Sequence, residues 1–338
     1  MSHIKKIAIV GVGAVGGVFA AYLGHAHSNI QLSAIARGDT LKNLRAHGLM
    51  WVDAQGEAHA VPLVATDNPA DLGAQDLVIV SVKGPSLQAI APTINALLAP
   101  HTVVLVAMNG VPWWFFDGLK GECAGLKLRA VDPDGLIAKS IPTAHVLGCV
   151  VHLSAQSPTP GRIEKIKGNH LVIGEPSGGD SARVNDVATL LKNGGFDVKV
   201  SPHIQHDIWF KLWGNMTMNP VSALTRTTCD QILDDPLVKN FCSAVMREAQ
   251  AIGNQMGCVI EQDPEARHAV TRGLGAFKTS MLQDVEAGKP IELDALVGVV
   301  QEIGEHLHVA TPNINALLGL TRLMAQGSGL YPLKHGTN

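Results

Sequence analysis

The chain of 338 residues predicts an α/β protein in two parts, a doubly wound sheet followed by an all-helical domain. Three observations carry that reading. Short apolar runs at Lys6–Val10, Ile30–Ala36, Asp76–Val82 and Thr102–Ala107 have the pattern of parallel strands buried on both faces. Helical text such as Ser86–Leu98 lies between them, so strand and helix alternate. After Ser201-Pro202 the strand pattern stops, which sets the expected boundary between a domain at 1–201 and a second at 202–338.

Taken in order, Lys6–Val10 leads into Gly11-Val12-Gly13-Ala14-Val15-Gly16 and a helix through Leu23. The uncharged stretch Ile7–Gly24 behind Lys5-Lys6 has the look of a signal peptide or a short membrane span. Its glycines instead fall where a strand ends and a helix opens, so the segment reads as part of the fold of an untargeted, cytoplasmic protein. Val146–Leu153, Arg162–Ile166, His170–Ile173 and Asp197–Val200 read as later strands, the shorter of them antiparallel. His206–Leu224 is one helix, which Pro220 must end or kink. Asp235-Pro236 caps a second helix, Glu265–Ala287 is a third, Ile291–Leu307 a fourth, and Thr311-Pro312 opens the last.

Composition narrows the function. Lys and Arg number 26 against 29 Asp and Glu, a net charge of −3 without a basic block, which argues against nucleic acid as partner. The 5 cysteines are odd in number and form no CxxC, a usage that suits a reducing cytoplasm. His203/His206 and His306/His308 have no cysteine or acidic cluster in ligand spacing around them, so no metal site is expected.

The motifs point to a dinucleotide. Gly11-x-Gly13-x-x-Gly16 stands after a strand and opens a helix, where Gly11 allows the tight turn, Gly13 the approach of a pyrophosphate and Gly16 the packing of helix on strand. After the second strand, NAD enzymes carry an acid for the ribose 2′-hydroxyl; here Ala34-Ile35-Ala36-Arg37 offers a guanidinium, which suits the 2′-phosphate of NADP(H). Lys83 and Asn109 each follow a strand, at the carboxyl edge where such sheets bind ligands. In the helical part, Lys211, Asn215 and Asn219 recur at i, i+4 and i+8, one ammonium and two amides along a single stripe. Ser280 and Asp284 form a second i, i+4 pair, and Glu292 with Asp294 falls in a first helical turn, where acids also serve the helix dipole alone.

Together GVGAVGG, IARG, SVKG, MNG, KLWGNMTMNPVSAL and TSMLQDVEAGKPIELD resemble the ketopantoate reductase (2-dehydropantoate 2-reductase) family over nearly the whole chain. The resemblance implies a Rossmann-like sheet domain and an NADP-dependent oxidoreductase of pantothenate biosynthesis. It reduces a 2-oxo acid, ketopantoate or a bulkier analogue, with Lys211 as proton donor. It implies that Gly11 to Gly16, Arg37, Lys83, Asn109 and, more weakly, Ser154 hold NADPH. Asn215, Asn219 and Ser280 would then bind substrate, Asp284 supports them, and Glu292 reaches both nicotinamide and lysine. A 3-hydroxyacid-type dehydrogenase and a non-catalytic NADPH-binding sensor stay open as alternatives, as does a homodimer.

The chain departs from the family at Thr225–Cys229, which lacks an asparagine, and at Trp113-Trp114, where the family has small polar residues. The paired tryptophans predict a fixed apolar wall to the substrate pocket and a bulkier substrate.

Overall fold

The computed structural model describes residues 4–53 and 55–333. In chain order it holds β1 (Lys6–Val10), α1 (Ala14–Ala26), β2 (Gln31–Ile35), α2 (Gly38–His47), β3 (Leu49–Val52), β4 (Ala58–Val61), β5 (Val64–Thr66), β6 (Leu77–Val80), α3 (Gly84–Asn95) and β7 (Val103–Val106). There follow α4 (Leu136–Ser140), β8 (Val146–Gln156), β9 (Arg162–Gly174), α5 (Ala182–Asn193) and β10 (Asp197–Val200). The helical part comprises α6 (Ile204–Thr225), α7 (Cys229–Asp234), α8 (Pro236–Gln255), α9 (Pro264–Arg272), α10 (Ser280–Glu286), α11 (Val299–His306) and α12 (Pro312–Gly327).

The chain divides into two compact units. The first runs to Asn109 and includes Trp114–Leu119 and Asp134–Asp207; the second holds Gly110–Trp113, Lys120–Pro133 and the chain from Ile208 onward. The crossing at 110–113 and 120–133 has no signature in hydrophobic periodicity, because those residues form turns rather than regular elements.

In the first unit β5, β2, β1, β6 and β7 lie side by side, all parallel, and the chain order reverses at β1. Ile7 to Val10 and Leu77 to Val80 are sealed from solvent, as a sheet covered on both faces requires. β8 continues the sheet in parallel with β7, and β9 returns beside it antiparallel. Arg162–Ile166 and His170–Ile173 prove to be one strand; Lys165, Lys167 and Asn169 interrupt the apolar pattern because that stretch is largely exposed. β10 is parallel to β9, not antiparallel, since the α5 crossover brings the chain back in the same direction. β3 and β4, a hairpin attached to β9, and the short β5 are polar or half-exposed and lack a buried-strand pattern. α1 packs closely on this sheet: a Cβ at Gly17 would stand 2.3 Å from Ile163 Cδ1.

In the second unit α6 runs through Pro220 to Thr225, so the helix expected over His206–Leu224 is present and Pro220 does not end it. Proline removes one backbone donor, and the helix continues here through a stretch, residues 216–223, that is buried throughout. The helix expected over Glu265–Ala287 is two helices. Gly275 takes a φ of +72°, and Thr279 caps α10 by accepting from the Leu282 N–H at 3.2 Å. Asp294–Gly298 is a π-turn leading into α11, and the Ala295 carbonyl accepts from Val111 N–H at 3.0 Å. Gly110 is required there, because a Cβ would lie 2.3 Å from that same oxygen. Among the described residues no helix is long and apolar enough to cross a membrane.

Candidate active site

The first unit gathers its candidates on one line. Gly11, Arg37, Lys83 and Asn109 follow β1, β2, β6 and β7, and the parallel registers of those strands put all four at the carboxyl edge, around the point where strand order reverses. Gly11 has φ +94°, and a Cβ on it would come within 2.7 Å of Val82 Cγ1. A Cβ on Gly16 would be tighter still, 2.2 Å from both the Gly11 carbonyl oxygen and Ser81 Oγ, and that serine donates to Gly11 O at 2.8 Å. Gly13 is different in kind. It is exposed, and a Cβ added there would meet nothing within 4 Å, so its surface is free for a ligand to approach. Gly13 is also the N-cap of α1, and no side chain caps that helix, so the first N–H groups face outward in the way a diphosphate uses.

Arg37 is the N-cap of α2 and exposed; Lys83, half-buried, is the N-cap of α3. A glycine cradle, an open helix N-terminus and an exposed guanidinium after β2 together fit a phosphorylated dinucleotide. Val12 is buried beneath the turn, while Ala14 and Val15 form the first helical turn. Ser154 lies apart from this line. It sits on β8 six residues beyond Gly148, the register partner of Val106, between two irregularities of the β8–β9 ladder.

The second unit assembles the polar stripe. Lys211, Asn215 and Asn219 lie on one helix as the spacing predicts; the first two are half-buried and Asn219 is 5% exposed. A relay of hydroxyls ties this stripe to α10: Ser222 Oγ donates to Asn219 O, Thr279 Oγ1 lies 2.6 Å from Ser222 Oγ, and Thr279 accepts from Leu282 N–H. Ser280 is the first residue of α10, exposed, and Asp284 is half-buried one turn on. The structure therefore links the backbone of Asn219 to Thr279, the residue before Ser280, through hydroxyls that polarity alone did not single out. Glu292, half-buried, precedes the π-turn.

Residues near the carboxyl end hold that turn in place. Leu330 O accepts from Ile291 N–H at 3.2 Å, and the Tyr331 hydroxyl donates to Asp294 Oδ1 at 2.7 Å. Burial, reinforced by that carboxylate, pushes the Tyr331 phenol well above its usual range, so it acts as a neutral donor. A lone tyrosine near a chain end gives no sequence signal for such a role.

Trp113 and Trp114 are 3% and 1% exposed. Trp114 is pressed against β8, where Gly148 leaves the room: a Cβ there would meet the indole Cη2 at 2.7 Å. Trp114 is thus packing within the protein, and the reason is local. Apolar bulk after a strand is satisfied first by the nearest glycine-lined hollow of the sheet.

A glycine-cradled helix N-terminus at a sheet reversal, joined in one chain to a lysine-and-amide helix, defines the class of two-domain dinucleotide-dependent oxidoreductases. Within that class, the chain belongs to the ketopantoate reductase family. Residues 7–178 match the family described as ketopantoate reductase PanE/ApbA, and residues 203–325 match its C-terminal counterpart. It is 41% identical to a 2-dehydropantoate 2-reductase of Mesorhizobium japonicum over 96% of this chain and 99% of that one. A crystal structure from Ralstonia solanacearum MolK2, provisionally described as a ketopantoate reductase, superposes with a TM-score of 0.93 at 55% identity, covering 97% of this chain and 100% of that one. A dimeric ketopantoate reductase from Staphylococcus aureus shares the fold, with a TM-score of 0.75 at 21% identity over 96% of this chain and 99% of that one.

Proposed function

We propose that this chain is an NADPH-dependent 2-dehydropantoate 2-reductase, and the observation that carries the reading is the Lys211–Asn215–Asn219 stripe in a chain of this family. Gly11, Val12, Gly13, Ala14, Val15 and Gly16 hold the diphosphate, with Arg37 on the 2′-phosphate and Lys83 and Asn109 on the ribose and nicotinamide side. Ser154 adds a contact from the irregular stretch of β8, where a break in the ladder re-aims a side chain. The bound cofactor supplies the hydride.

The chain's own residues do the rest. As negative charge develops on the oxygen of the 2-oxo group, the Lys211 ammonium stabilises it and hands over a proton, giving the 2-hydroxy acid. Asn215, Asn219 and Ser280 donate hydrogen bonds to the substrate's carboxylate and hydroxyl oxygens, and Asp284 steadies the short helix that carries Ser280. Glu292 pairs electrostatically with the lysine and favours its ammonium form, and water reprotonates the amine after each turnover. The burial of Trp113 and Trp114 removes the reason to expect a bulky substrate, so ketopantoate is the preferred one.

Working domains follow the two compact units, a cofactor domain close to 1–201 and a substrate domain close to 202–338. A cytoplasmic enzyme accords with five buried, unbridged thiols. A homodimer accords with the bare apolar face of α12, where Leu320 and Leu323 are 59% and 70% exposed; sedimentation at micromolar concentration tests it. The reading as a whole is tested by following NADPH consumption with ketopantoate, pyruvate and phenylpyruvate. Ketopantoate should give the highest kcat/KM by at least tenfold, and absence of turnover on every 2-oxo acid would refute it.

A further inference from the structure

Several cations of α9 and its neighbourhood are paired with acids. Arg272 pairs with Asp234 at 2.6 Å, Lys239 with Glu265 at 3.2 Å and Lys278 with Glu286 at 2.8 Å, and buried His268 bonds Ser243 at 2.9 Å. Arg267 has no ion pair and no side-chain hydrogen bond among the described residues, and its Nε is sealed from solvent with nothing to donate to. Burial alone depresses its affinity for the proton, since no acid lies near to restore it. An arginine is seldom held this way for stability, because a desolvated charge without a partner is costly.

Its position is specific. The guanidinium lies against α6 at Gly214, where a Cβ would stand 2.7 Å from Nε and 2.8 Å from Nη2, and its Cζ lies over the Phe210 ring at 5.4 Å from the centroid. Phe210 and Gly214 flank Lys211, and Gly214 directly precedes Asn215, so the guanidinium borders the polar stripe. Ring and backbone fix its plane, while the outer nitrogens keep access to solvent. A planar, pre-oriented fork of donors without a protein acid is a receptor for an oxyanion.

We infer that Arg267 is a substrate-binding residue that receives the carboxylate of the 2-oxo acid and so presents its keto group to Lys211. The inference rests on the reductase reading given above. It also explains Gly214: any side chain there would displace the guanidinium from the helix. The amides of Asn215 and Asn219 can orient a carboxylate, and the Arg267 guanidinium can neutralise it while Lys211 is reserved for the keto oxygen.

The test uses the NADPH-loaded enzyme with ketopantoate as substrate and oxamate as a carboxylate probe that cannot react. Arg267→Met should raise both the ketopantoate KM and the oxamate Kd at least tenfold, leaving kcat within about threefold and NADPH affinity unchanged. Arg267→Lys should recover only part of the loss, because an ammonium lacks the fork. Gly214→Ala, which keeps the arginine but pushes it aside, should reproduce the Met phenotype. Unchanged KM and oxamate affinity in folded Arg267→Met and Gly214→Ala would overturn the inference, as would a wild-type enzyme that fails to bind oxamate. If the wild type binds oxamate through Arg267 but turns over no 2-oxo acid, the reductase reading fails and the anion receptor stands.

Discussion

At the scale of single residues, the proposed cofactor side rests on glycines and one arginine. Gly11 and Gly16 are irreplaceable for steric reasons internal to the protein, while Gly13 is open on the side from which a ligand would come. Arg37 was legible because one residue type stands where its opposite is usual, a contrast that needs no structure. Arg37→Ala should cost most of the preference for NADPH over NADH, about tenfold or more, since a charge-assisted pair contributes roughly 1.5–3 kcal/mol. Equal Kd ratios in wild type and variant, measured by cofactor fluorescence, would count against it. Trp114 teaches the opposite lesson. Two adjacent indoles beside a ligand edge looked functional, yet a glycine in β8, too distant in sequence to be linked to them by pattern, turns one into a core plug. Trp114→Ala should therefore destabilise by about 3–5 kcal/mol and lower Tm, without reordering kcat/KM among 2-oxo acids; a changed ranking at unchanged Tm would restore the pocket reading.

At the scale of elements, periodicity located strands and helices wherever both faces or one stripe are buried, and it failed where another force decides. α6 is not such a case, since it keeps the expected helix through Pro220 in a stretch sealed from solvent. The break between α9 and α10 is made by a left-handed glycine and a threonine cap, weak signals inside a helical pattern. The junction of β9 with α5 shows what a tied element gains. Glu175, 5% exposed, accepts from Arg183 Nη2 at 2.5 Å and from Ser181 Oγ at 2.6 Å, and Arg183 also donates to Val146 O at 3.1 Å. Burial alone would push the Glu175 carboxyl up; its bonds to Arg183 and Ser181 outweigh that and hold it below the usual range. The folded state thus prefers the ionised form, so this contribution is complete above the unfolded value of about 4.3 and fades as pH falls through the lower folded one. Glu175→Gln should cost about 2 kcal/mol in urea unfolding at pH 7 and progressively less below pH 4. A constant difference across that range would contradict the assignment.

At the scale of the whole molecule, the architecture and family were legible from motif order, because each motif falls at a strand end or helix face that the fold makes obligatory. What lay beyond reach was contact between distant segments: the Ser222–Thr279 bond, the Tyr331 clasp on Asp294, and Arg267 on Gly214. Each joins residues whose individual chemistry is ordinary. The proposed division of labour follows, with a sheet unit for the cofactor and a helical unit for the proton donor. Steady-state kinetics and NADPH titration of Lys211→Ala test that division most directly. The account predicts that kcat on ketopantoate falls by about a hundredfold or more while the NADPH Kd stays within twofold. Wild-type turnover in the variant would contradict it, and so would a loss of NADPH binding in step with kcat.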